Sequence, residues 1–148
     1  MDLGLLEYQP EDLIVFPQGL PSFESLHEYL LVQQAEFAPF LFLFSADRPA
    51  VRFVCLPAYV LDPGYRFEVL PDEDLPATLA PGVYRARSER PMILAIVTLP
   101  QDGVPTANLM APLVIDAERR IGMQLILAGS AYSHITPIGE CQPEPAPC

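Results

Sequence analysis

The chain has 148 residues, 51% hydrophobic and 18% charged, and nineteen acids against eight basic residues give it a formal net charge of −11. That length can bury one sizeable core, and the apolar content excludes a disordered, solvated polymer. Eighteen prolines against eight glycines exclude long helices and coiled coils, because an interior proline loses a hydrogen bond and clashes with the preceding turn.

Apolar segments fenced by proline predict strands at residues 3–8 (an edge), 13–16, 29–33, 40–45, 52–56, 65–69, 92–99, 109–115 and 122–127. Phe16, Pro17, Gln18 and Gly19 fit a type I turn, with proline second and glycine fourth. Ser22 then caps a short predicted helix over residues 23–28. In 65–69, Tyr65, Phe67 and Val69 face one way and Arg66 and Glu68 the other, the pattern of a half-exposed strand. Asp72, Glu73 and Asp74 suit a second helix start, which Pro76 and Pro81 keep brief. Residues 92–99 are almost unbroken apolar, as in a strand buried on both faces. Thr106 and Asn108 enter the next strand, and Pro112 inside it predicts an edge position or a bulge. Residues 116–121 form a polar hairpin connection, after which Gly122 is free to take a positive φ. Residues 1–139 thus read as a single all-β, mainly antiparallel, barrel-like domain with one or two short helices. Residues 140–148 alternate proline with small or acidic residues and read as a disordered tail.

Chemistry-bearing constellations are sparse. His27 and His134 are the only histidines, with no HExxH or HxH pattern and no cysteine near either, so the spacing offers no convergent set of zinc ligands. Ser133 and His134 are adjacent, so on an extended chain they point apart and cannot act as nucleophile and base. The Asp72–Asp74 acids lack the pattern of a calcium loop, and no glycine-rich phosphate loop occurs. Cys55 sits in an apolar run as a small buried hydrophobe, whereas Cys141 and Cys148 lie in the tail. No catalytic residue, metal or cofactor is expected. The basic residues are all arginine, and Arg85, Arg87, Arg90, Arg119 and Arg120 are too few and too mixed with acids for an RNA groove. The acidity has two readings: solubility alone, or steering of a basic partner. No charged-then-apolar leader opens the chain and its apolar runs are far shorter than a membrane span, so a cytoplasmic protein with no membrane contact is expected.

Three pieces, taken together, resemble the bacterial flagellar assembly factor FliW family. They are FPQGLPSFE at residues 16–24; LAIVTLP at 94–100 followed by TANLMAPLVID at 106–116; and R-x-G-x-Q as Arg120, Gly122 and Gln124. The resemblance spans residues 4–138, departing at Ser22, where the family usually has glycine. It implies a non-enzymatic regulator that binds flagellin and the CsrA-type RNA-binding translational regulator, relieving the latter's repression of flagellin synthesis. Turn residues are the candidates for partner contact because loops carry recognition while strands carry packing: Gln18, Thr106, Asn108 and Arg120. Asn108 has a second reading, as a residue that bonds its own backbone. A small-ligand-binding β-barrel is the competing class, and it requires convergent polar side chains that the strands do not offer. A monomer is expected.

Overall fold

Alternate residues of the apolar strands serve two different cores, and that division closes the sheet. A computed structural model describes residues 8–71, 80–87, 91–101, 103–127 and 130–138. Strands β1 (Ile14–Val15), β2 (Glu28–Gln33), β3 (Leu41–Ser45), β4 (Arg52–Pro57), β7 (Met92–Thr98), β8 (Thr106–Asp116) and β9 (Ile121–Gln124) pair in the order β8-β7-β4-β3-β2-β1-β9, and β9 pairs back onto β8. The result is a closed seven-stranded barrel. Every pairing in it is antiparallel except β1 with β9, which meet in parallel at Val15 and Ile121. Strands β5 (Arg66–Val69) and β6 (Gly82–Arg85) form a separate antiparallel hairpin, and β10 (Thr136–Pro137) lies on β8.

Ile14, Phe16, Tyr29, Leu41, Leu43, Cys55, Leu94, Leu113 and Ile115 form the inner core. Ile93, Ala95, Val97, Ala107, Leu109 and Val114 face outward beneath Tyr65, Phe67 and Val69 of the β5 segment. Leu30, Val32 and Phe44 form a third, smaller cluster. Each Val, Leu, Ile or Phe among them contributes about 1.5–3 kcal/mol on full burial, so a strand that feeds two cores has little reason to carry polar residues. This explains the unbroken apolar run of β7. Pro112 sits in a bulge, as expected: Leu94 pairs with Leu113 but Ile96 pairs with Asn108, so residues 109–112 stand opposite Ala95 alone.

The expected helix over 23–28 is corrected. Phe23 N–H donates to the Leu20 carbonyl at 2.9 Å, and Ser22 between them takes φ 68°. Pro21 fixes the second turn position and Ser22 adopts the left-handed third position usual for glycine, so Ser22 cannot supply the extended backbone of a helix cap. The segment instead folds Leu20 and Leu26 into the inner core, with Phe23 packed against it. The only α-helix among the described residues is the single turn α1 (Ala58–Leu61). The positive φ expected at Gly122 belongs to Arg120, at 58°. The expected strand at 109–115 extends to β8, and 122–127 contracts to β9, while β6 and β10 were not anticipated. Residues 3–7 of the expected edge strand, the acids Asp72, Glu73 and Asp74, and the tail 140–148 lie outside the described residues.

Gly19 closes the first turn, its N–H donating to the Phe16 carbonyl at 2.8 Å, with φ 71°. A Cβ there would lie 2.5 Å from the Glu24 backbone. Gly19→Ala is therefore expected to cost about 2 kcal/mol or more, since the left-handed penalty and a backbone clash add. Ser22→Gly should be neutral or stabilise by up to about 1 kcal/mol, because it relieves the same penalty without a clash. Urea unfolding of the two variants measures these opposite signs.

A candidate protein-interaction surface

Six acids gather around β1. Glu11 and Asp12 precede it in a short 3₁₀ turn, and Glu24 and Glu28 follow the turns that pack into the barrel. Glu28 stands opposite Val15 in the sheet. Asp116 and Glu118 belong to the β8–β9 hairpin, whose Ile121 flanks Val15 on its other side. All are exposed except the half-buried Asp116. Val15 points outward among them, 37% exposed. An apolar centre with a charged rim is the usual anatomy of a protein interface. The local sign is negative, with Arg119 and Arg120 the cations of the same hairpin.

The four residues expected at a partner surface divide into two pairs. Gln18 is exposed three residues beyond Val15, and among the described residues its side chain has no hydrogen-bond partner. Arg120 is half-buried beside β1: its carbonyl accepts from Val15 N–H at 2.9 Å, and its guanidinium donates to the Asp12 carbonyl. Thr106 and Asn108 lie at the far end of β8. Thr106 is half-buried between Thr98 of β7 and Pro137 of β10. Asn108 Oδ1 accepts from Met110 N–H at 3.1 Å and Ala111 N–H at 2.9 Å. Its side chain thus caps the start of the Pro112 bulge, the local backbone role that asparagine performs at turns.

The R-x-G-x-Q pattern also has a structural account. Arg120 makes the left-handed turn into β9. Gly122 leaves room for Phe16, whose ring would lie 2.6 Å from any Cβ there. Gln124 Nε2 donates to the Ala111 carbonyl at 3.2 Å, holding the bulge from its other side. Period-two spacing puts Gly122 and Gln124 on one face of β9.

The described residues hold no cluster of histidine, cysteine and carboxylate groups that could bind a metal. Burial pushes the Cys55 thiol up to about 12, far from a reactive thiolate. His27 Nε2 lies 2.9 Å from the Glu24 carbonyl, and Ser133 Oγ accepts from Ile135 N–H at 3.0 Å, so neither is paired as catalytic machinery. Among the described residues no helix is long and apolar enough to cross a membrane.

Residues 1–138 match the family model described as FliW protein. The chain belongs to the FliW family. It is similar to the flagellar assembly factor FliW of Moorella thermoacetica, 37% identical over 132 residues that cover 88% of this chain and 80% of that one. To the flagellar assembly factor FliW of Caldanaerobacter subterraneus subsp. tengcongensis it is 38% identical over 141 residues, covering 94% and 90%. The crystal structure of a flagellar assembly factor FliW matches with a TM-score of 0.73 at 28% identity, over 90% of this chain and 89% of that one. The role named for these FliW proteins, flagellar assembly, is not an enzymatic one.

Sequence reasoning missed Val15, which alternation marks only as the outward neighbour of two core residues. It also missed the pairing of β5 with β6. For the residues it did select, stability separates framework from surface. Asn108→Ala should lower unfolding free energy by about 1–3 kcal/mol, because two backbone N–H groups lose their acceptor. Gln18→Ala should change it by no more than about 0.5 kcal/mol. Thermal unfolding of both variants checks the contrast.

Proposed function

We propose that this FliW-family chain is a cytoplasmic, monomeric, non-enzymatic regulator of flagellar assembly that binds flagellin and a CsrA-type translational regulator, relieving the latter's repression of flagellin synthesis. The observation that carries the reading is the acidic rim around the exposed Val15. An RNA-binding regulator must present cations to neutralise phosphates, and a surface of opposite sign steers its encounter and fixes its orientation. Family membership supplies the flagellar context, and the resemblance in the turn and hairpin motifs supplies the two partners. Gln18 and Arg120 border the rim and are proposed as contacts. Thr106 and Asn108 enter the proposal through the shape of the bulge they support. The binding unit is residues 1–139, with 140–148 dispensable to it.

A small-molecule barrel fits less well. The inner core is occupied by large side chains, with Phe16 and Tyr29 edge to face at 5.5 Å, whereas ligand barrels keep that space open.

Charge reversal at two exposed rim positions, Glu11→Lys with Glu28→Lys, should weaken the complex with a CsrA-type protein by about tenfold at low salt while leaving the fold intact. Titration calorimetry over a salt series tests it, and an unchanged affinity would remove the rim from the interface.

The two partners are also proposed to exclude one another. A standard interface takes about 800 Å² from each partner, so a domain of this size has room for separate sites and exclusion requires overlap or negative coupling. Either makes each partner weaken the other by the same factor. Adding flagellin to the preformed complex should release the regulator on size exclusion. A stable three-component peak with undiminished regulator affinity would overturn the exclusion.

A further inference from the structure

The two strands of the β5–β6 hairpin carry more arginine than acid, unlike the segments around β1. Its inner face is fixed to the barrel: Phe67 and Val69 belong to the outer core, and Tyr84 stacks on Phe67 at 5.6 Å with an interplanar angle of 3°. Its outer face carries Arg66 and Glu68 on one strand and Val83 and Arg85 on the other, flanked by the exposed Leu70 and by Arg87, whose guanidinium lies 5.8 Å from the centre of the Tyr59 ring. Three of the eight arginines of a chain with net charge −11 therefore share one small hairpin. Arg66 and Arg85 are direct cross-strand partners, an arrangement that like charges disfavour. Ala86 N–H donates to the Tyr65 carbonyl at 3.0 Å, which makes Arg66 and Arg85 a non-hydrogen-bonded pair, the kind with the closer side chains. Among the described residues no carboxylate lies within ion-pair distance of either guanidinium.

The same register fixes what the hairpin offers at its edge. Residues 67 and 69 bond to 84 and 82, so the N–H and C=O groups of Val83 and Arg85 point away from β5. Among the described residues the two-stranded sheet ends at β6. Arg66 N–H, which points away from β6 on the other side, is taken by the Tyr132 hydroxyl at 3.2 Å. One edge of the hairpin is thus tied to the body, and among the described residues the other has no backbone partner. Val83 is 52% and Leu70 65% exposed beside it.

We propose that β6 is a docking edge for an extended acidic segment of a partner protein, which adds as a third strand. Its backbone would pair with Val83 and Arg85, its carboxylates would meet Arg66, Arg85 and Arg87, and its apolar side chains would cover Val83 and Leu70. Main-chain pairing gives such a complex its affinity and alternate side chains its specificity. Arginine suits the role because its planar fork takes a carboxylate in a bidentate fashion. A second copy of this chain is a poor occupant, since β6 against β6 would bring arginines together. Nucleic acid is also disfavoured, because it uses neither the edge amides nor the exposed apolar side chains.

The probe is a fluorescein-labelled ten-residue peptide of alternating glutamate and valine, followed by fluorescence anisotropy with the full chain at low salt. Three controls are an alternating lysine and valine peptide, an alternating glutamate and proline peptide that lacks half the backbone donors, and a single-stranded RNA ten-mer. The glutamate–valine peptide should bind at least tenfold tighter than each control. The double variant Arg66→Glu with Arg85→Glu, and separately Val83→Pro, should each weaken it at least tenfold. Amide exchange covers the case in which Val83→Pro does not fold: in the unmodified chain, peptide should slow exchange at Val83 and Arg85. Absence of binding, equal binding of the glutamate–proline peptide, tighter binding of the RNA, or unchanged exchange at those two amides would overturn the proposal.

Discussion

The ring of Phe16 fills the space where any residue other than glycine at position 122 would place its side chain. That contact joins the end of β1 to β9, the one pair of strands that meets in parallel and closes the barrel. Val15 N–H bonds to the Arg120 carbonyl beside it, and the Arg120 side chain reaches the Asp12 carbonyl on the other side of β1. A two-residue strand has little ladder of its own, so it is positioned by its neighbours: a ring behind it, a turn beside it and an arginine before it. If Phe16 were withdrawn, the inner core would open where β1 and β9 meet.

Two consequences follow for function. The residues that make the chain resemble its relatives are mostly framework: Gly19 for a turn without room for Cβ, Gly122 for the Phe16 ring, Asn108 and Gln124 for the two sides of the bulge. Motifs of this sort identify a fold without marking the surface that meets a partner. The acids that decorate β1 sit in turns and strand ends whose paths the framework dictates, so the rim depends on the closure. In the proposed reading recognition is carried by exposed side chains on a rigid base, which limits the conformational entropy lost on binding.

How much of this was legible in the sequence depended on whether a segment's pattern was local. Strand β7 was readable because burial on both faces leaves an unbroken apolar run, and the Pro112 bulge because proline cannot donate to a ladder. The helix over 23–28 was misread because serine is a good cap in general, whereas here Ser22 occupies a left-handed turn position after Pro21. A glycine there would have revealed the turn. Strand β6 was hidden: four residues with one aromatic and no clean alternation acquire strand geometry only by pairing with β5 across a long connection. The same holds for the site. Asn108 carried both a recognition and a backbone reading, and only the carbonyl–amide distances distinguish them. The acidic rim is assembled from residues 11 to 118 and has no signature in any single stretch of chain.

The opposite signs of the two surfaces bear on how a strongly acidic protein can hold any acidic segment. At physiological salt, fields beyond about 8 Å are largely screened, so a distant acidic rim imposes little penalty on a carboxylate at the hairpin. What matters there is the local pair of arginines, like charges set directly opposite one another across the two strands. That repulsion is tolerated because the inner face of the hairpin is secured by Phe67, Val69 and Tyr84, so side-chain conflict outside does not unseat the strands. The barrel therefore holds two charged surfaces that no unsupported hairpin or loop would keep in place. Their placement rests on packing: the inner core positions the acidic rim, and the outer core positions the hairpin with its arginines.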